Sequence, residues 1–103
     1  MHLVHVLLPL NDNQGRPFGR EPFDLVRREL AERFGGVTAH FRAPAQGVWR
    51  DPGGDVARDE VVTLEVMVAD TLDRAWWADF RRRLEALFRQ DEVVVRAVPM
   101  ERL

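Results

Sequence analysis

The sequence predicts an α+β domain with the element order β-α-β-β-α-β. Three observations carry that expectation. Two amphipathic helical stripes are separated by a pair of strand-like segments. One strand-like segment precedes the first stripe and another follows the second. A Gly/Pro-rich turn joins the inner two segments, the mark of an antiparallel hairpin. Each β-α-β half takes a right-handed crossover. The halves then interleave into the split βαβ, or ferredoxin-like, arrangement. That arrangement is a four-stranded antiparallel sheet with two helices on one face and the first and third strands in the centre. A chain of 103 residues without a linker or repeat is expected to form a single domain, 1–103.

The elements follow from local chemistry. Residues 2–10 are apolar and β-leaning, and Pro9 stands where it can close a strand. Residues 11–19 are rich in Asn, Asp and Gly, which is loop chemistry. The loop does not match a calcium or phosphate spacing and reads as a turn. A connection of this length can act as a lid, with Phe18 its apolar part, although burial of Phe18 against the first helix is the expectation. Pro22 suits a first helical turn. Phe23, Val26, Leu30 and Phe34 repeat at helical spacing as one stripe, and Gly35-Gly36 ends the helix. Residues 37–43 alternate with a period of two; Pro44 and Gly47 interrupt them, and residues 48–50 resume as a short arm. Residues 51–55 (Asp-Pro-Gly-Gly-Asp) form the turn and residues 60–69 a long strand. Asp70 is expected to cap the second helix, with Asp73 in its acidic first turn. Leu72, Trp76, Phe80, Leu84 and Leu87 form the expected buried stripe, broadened by Trp77 and Phe88, with Trp76 in the core and Trp77 at its edge. Arg81 is expected to pair with Glu85. Residues 92–100 form the last strand.

Composition narrows the chemistry. The chain has no Cys, Ser, Lys, Tyr or Ile, and all fifteen of its cationic residues are Arg. Thiol and hydroxyl nucleophiles of the Cys and Ser kind, Schiff-base lysines and tyrosine acids are excluded. Catalysis would rest on His, Asp, Glu or Arg. A net charge of −2 offers no basic footprint for nucleic acid. No apolar run reaches the length of a membrane span, and the first residues lack the pattern of a signal peptide. The expectation is a cytoplasmic protein that binds neither nucleic acid nor membrane.

Strand alternation sorts the remaining candidates onto faces. Val4, Val6 and Leu8, Ala39 and Phe41, Leu64, Val66 and Val68, and Val93, Val95 and Ala97 are uniformly apolar and are assigned to the helix side. The other face carries Leu3, His5 and Leu7, Thr38, His40 and Arg42, Thr63, Glu65 and Met67, and Val94, Arg96 and Val98. It holds too much apolar surface to stand open to water. A second copy packed sheet to sheet is the expected cover, giving a homodimer.

That face also gathers the chemistry. His5 and His40 are candidate bases near neutral pH, with Glu65 to orient them. Two His and one carboxylate also suit a metal in principle. The simpler alternative is packing of the histidines in the dimer interface, with Glu65 paired to Arg42 or Arg96; no metal and no cofactor are expected. Arg42 and Arg96 could hold an anionic ligand, and Trp49 with Arg50 on the hairpin arm could close over a planar or anionic one. Pairing of Arg50 and Arg58 with Asp51, Asp59 or Glu60 is the competing expectation for the arm.

The run Gly47-Val48-Trp49-Arg50, followed by a Gly-rich turn and Arg58-Asp59-Glu60, resembles a family of small uncharacterised bacterial proteins with a G-x-W-R…R-x-E pattern. Phe88-Arg89-Gln90-Asp91 is similar to that family's F-x-Q-[DE] junction before the last strand. The resemblance implies the β-α-β-β-α-β order and brings no activity with it; the Asn/Gly loop after the first strand departs from it. More remotely, the order and the expected dimer resemble the dimeric α/β-barrel proteins, many of which bind or transform small organic ligands. Two expectations follow. One is a homodimeric small-molecule-binding or accessory domain without catalysis. The other is a small cofactor-independent enzyme in which His5 or His40 is the base, Glu65 orients it and Arg42 or Arg96 holds an anionic substrate.

Overall fold

The computed structural model describes the backbone of residues 1–50 and 56–103 and the side chains of residues 1–40 and 60–103. In chain order the elements are β1 (His2–Pro9), α1 (Arg20–Phe34), β2 (Thr38–Arg50), β3 (Val56–Val68), α2 (Arg74–Leu87) and β4 (Val94–Pro99). The four strands pair antiparallel in one sheet of order β2-β3-β1-β4. The first and third strands are thus central, as the interleaved halves require. The fold is α+β and ferredoxin-like.

The hairpin is longer than the alternation suggests. β2 runs without a break to Arg50 and β3 starts at Val56. A register shift between His40 and Ala45 carries the chain past Pro44, which has no N–H to give to the ladder. The turn expected at 51–55 lies outside the described residues, as do the side chains of Phe41, Arg42, Trp49, Arg50, Arg58 and Asp59.

Both helices pack on one side of the sheet. Phe23, Val26 and Leu30 of α1 and Trp77, Phe80 and Leu84 of α2 share one core with Val4, Val6 and Leu8 of β1 and Val62, Leu64, Val66 and Val68 of β3. On β1 and β3 these are the sets that strand alternation assigns to the helix side, with Val62 added to them. Each such side chain stabilises the fold by roughly 1.5–3 kcal/mol through burial. α1 ends at Gly35, whose φ of 82° is left-handed and whose N–H bonds to Ala31 O. Glycine takes that conformation without a Cβ penalty.

Several expectations for α2 are corrected. Its N-cap is Asp73, not Asp70: the Asp73 carboxylate accepts from Trp76 N at 3.0 Å. Trp77 is the core tryptophan and Trp76 flanks it, half-buried. At the far end Phe88 is fully buried and Leu87 is 40% exposed. The stripes 76-80-84-87 and 77-80-84-88 share Phe80 and Leu84, and both have helical spacing. Only the position of the sheet chooses between them. The expected pair Arg81–Glu85 forms at 3.0 Å. The same Glu85 oxygen also accepts from Val93 N at 2.9 Å. β4 starts later than expected, at Val94. β4 is an edge strand, and its Ala97, placed on the core side by alternation, is exposed.

The loop after β1 is docked at the end of α2. Asp12 accepts from Gln14 N and Arg16 N, both at 2.9 Å, so the turn closes on its own aspartate. The Arg16 N–H bond leads the effects that hold the Asp12 carboxyl below the usual range. Asn13 donates to Arg89 O at 3.2 Å and accepts from Gln90 at 3.3 Å. Phe18 packs edge-on to Phe88 with ring centroids 5.1 Å apart. It therefore closes the core at the α2 C-terminus rather than packing on α1 alone.

Candidate functional site

The face without helices is built by cross-strand pairing. In the β1–β3 ladder His5 stands opposite Glu65, and in the β1–β4 ladder it stands opposite Arg96. In the β2–β3 ladder Thr38 opposes Glu65 and His40 opposes Thr63. His40 is thus the diagonal neighbour of Glu65, within reach of a long side chain. The structure brings three of the sequence candidates together. Glu65 Oε1 lies 3.7 Å from His5 Nε2 and 3.4 Å from His40 Nε2. One carboxylate oxygen stands between two imidazoles.

The two histidines are not equivalent. The His5 side chain is 18% exposed, and its Nδ1 is buried without a hydrogen-bond partner. The His40 side chain is 49% exposed. A proton carrier must reach its substrate directly or through one water. On that criterion His40 is the better placed of the two. Arg96 shares the register of His5 but makes no ion pair with Glu65 among the described residues; it lines a shallow cleft of about 180 Å³ at the β4 edge with Leu72, Arg74 and Trp77. Of the competing arrangement, in which Glu65 pairs with Arg42 or Arg96, the Arg96 pair is not formed among the described residues, and the Arg42 pair lies outside the described side chains. Arg42, Trp49 and Arg50 lie outside the described side chains, so the hairpin-arm candidates stay where the sequence left them. Among the described residues no group of three or more His, Asp or Glu side chains is placed to hold a metal ion.

The surface around the trio is partly apolar. Met67 and Val98 are 47% and 43% exposed, and Leu3, Leu7 and Val94 are half-buried. None of the described clefts is lined by His5, His40 or Glu65. Among the described residues the trio lies on the face of the sheet without helices. The largest described cleft, about 420 Å³, lies elsewhere, at the corner of β3, α1 and α2. Strand alternation could not have found it, because Arg33, Trp76 and Asp70 reach it from helix ends and a loop. The one sequence signal was the adjacent pair Trp76-Trp77, since two neighbouring rings cannot both face the core. No described helix is long and apolar enough to cross a membrane.

No family model matches the chain, and no curated protein does. Among solved structures it is similar to a phage SAM lyase in complex with S-methyl-5'-thioadenosine, with a TM-score of 0.65 and 14% identity over 94% of this chain and 79% of that one. The apo state of a phage SAM lyase matches with a TM-score of 0.62, also at 14% identity, over 94% of this chain and 78% of that one. At that identity the likeness is one of fold.

Proposed function

We propose that the protein is a small-molecule-binding or accessory domain that pairs with a second copy through its open sheet face and does no catalysis of its own. The observation that carries this reading is the open face itself. Exposed Met67 and Val98 and half-buried Leu3, Leu7 and Val94 surround a polar centre of His5, Glu65 and His40. Apolar surface of this kind marks interaction sites, and a two-fold pair of identical faces is the commonest cover. Packing a second sheet there encloses the trio and turns an open surface into a lined cleft. A protein of the same fold has been seen with S-methyl-5'-thioadenosine, which supports a small organic ligand by analogy of fold alone.

Light scattering at micromolar concentration tests the pairing. The expected mass is twice that of the chain, falling to one chain when Met67→Glu and Val98→Glu are combined. A single-chain mass for the unaltered protein overturns it.

One arrangement favours a second reading, a cofactor-independent enzyme of the dimeric α/β-barrel kind. Glu65 Oε1 contacts both imidazoles, and its partner His40 is exposed enough to meet a substrate. In that reading His40 is the base, Glu65 orients it, and Arg42 or Arg96 holds an anionic group. Incubation with SAM separates the two readings. Consumption of SAM that is lost in His40→Ala favours the enzyme. Saturable binding of S-methyl-5'-thioadenosine with no consumption of SAM favours the binding domain.

A further inference from the structure

The β4 edge of the sheet is open, and the register places its backbone donors. Met100 N donates to Met1 O at 3.1 Å, which extends the β1–β4 ladder by one pair. In an antiparallel ladder the bonded pairs recur at every second residue. The N–H and C=O groups of Val94, Arg96 and Val98 therefore face β1. Those of Val93, Val95 and Ala97 face away from the sheet. Val93 agrees with this assignment, since its N–H donates to the Glu85 carboxylate at 2.9 Å. Pro99, next in the outward series, has no N–H to give. Val95 and Ala97 remain, and their outward N–H groups have no acceptor among the described residues. Strapped at one end and closed by proline at the other, the edge is a short template for one added strand.

The surroundings of Val95 and Ala97 say what that strand would carry. Both residues line the cleft of about 180 Å³ at this edge, together with Leu72, Trp77, Arg74 and Arg96. Residues opposite each other in an antiparallel pair share a face. On an added strand, a side chain opposite Val95 or Ala97 points to the helix side, toward Leu72 and Trp77. A side chain opposite Arg96 points to the open face, as His5 does from β1. Arg74 and Arg96 are exposed and have no carboxylate partner among the described residues, whereas Arg27, Arg81, Arg82 and Arg83 do. A second copy of β4 fits this edge poorly. The antiparallel pairing that uses both donors of each copy sets Arg96 opposite Arg96, and like charges directly opposite destabilise a ladder. The two unpaired guanidinium groups call for an acidic strand instead.

We propose that the β4 edge binds an extended peptide as an antiparallel fifth strand, with an acidic residue opposite Arg96 and an apolar residue on each side of it. Backbone bonds at Val95 and Ala97 supply the hold, and the cleft and Arg96 supply the selectivity. The site uses none of His5, His40 and Glu65 and does not rest on the pairing of open faces.

Titration of the 15N-labelled protein with the capped peptide Thr-Val-Glu-Val-Thr, read at the Val95 and Ala97 amides, tests the proposal. Saturable shifts and slower exchange of both amides are expected. Thr-Val-Lys-Val-Thr should need about fivefold more peptide for the same shift. In Arg96→Glu that preference should reverse. The Glu peptide with both valine nitrogens methylated should not bind, because those nitrogens would donate to the Val95 and Ala97 carbonyls. No saturable shift, an unchanged preference in Arg96→Glu, or binding of the methylated peptide overturns the proposal. Shifts of the same two amides on concentrating the protein alone would give the edge to a second copy and overturn it as well.

Discussion

The two faces of the sheet are made of alternate residues of the same strands, and they have opposite characters. On the helix side Val4, Val6, Leu8, Leu64 and Val66 are almost fully buried. On the other side their immediate neighbours His5, Glu65 and Met67 range from half-buried to exposed. A residue's neighbour along the chain shares its backbone but not its solvent. The buried face sets stability, because every atom there has lost water. The open face has stability to spare for chemistry: its groups can change without opening a cavity in the core.

The largest expected effect breaks that contrast directly. Leu64→Ala should cost about 2–5 kcal/mol, read by urea denaturation. Met67→Ala, on the same strand but the other face, should cost under ~0.5 kcal/mol in dilute protein. Its cost should grow with concentration where the chain pairs. Equal losses at high dilution would erase the distinction between the faces. Next comes the strap between the helix layer and the β4 edge. Glu85→Ala leaves Val93 N–H without its acceptor and should cost about 1–3 kcal/mol, with faster amide exchange at Val93. Asp73→Ala removes the α2 cap and should cost about 1 kcal/mol, while Asp70→Ala should cost less, which separates the true cap from the expected one. The smallest effect belongs to the open face. Glu65→Gln should change stability by less than ~1 kcal/mol, since its two His contacts are long and partly solvated. A loss as large as that of Leu64→Ala would show that the trio is part of the structure's support.

Much of this was legible in the sequence. The element order follows from the two periodicities, the central strands from interleaving the two crossovers, and the sorting of β1 and β3 onto two faces from alternation. That His5, His40 and Glu65 share a face followed from the same rule, because a period of two sorts side chains without reference to distant contacts; that they meet depended on the register of β1, β2 and β3. The helix ends and faces were less legible. Asp70 and Asp73 are both good caps, and only the start of the helix at Arg74 selects Asp73. Trp76 and Trp77 are equally apolar, and only the direction of the sheet decides which is buried. Ala97 fits an apolar strand face, yet β4 is an edge and the helices leave it uncovered. The corner cleft was the least legible feature, for its parts come from α1, α2 and the loop after β3.

By itself the sequence determined the β-α-β-β-α-β order, the two faces of the central strands and the residue types available for chemistry. These rest on local periodicity and on which side chains exist. The tertiary structure alone decided which tryptophan is core, which aspartate is the cap, how far the hairpin runs and where Arg33 and Asp70 stand relative to Trp76. Those outcomes depend on contacts between elements far apart in the chain, where several local patterns are equally good and the shared core selects one.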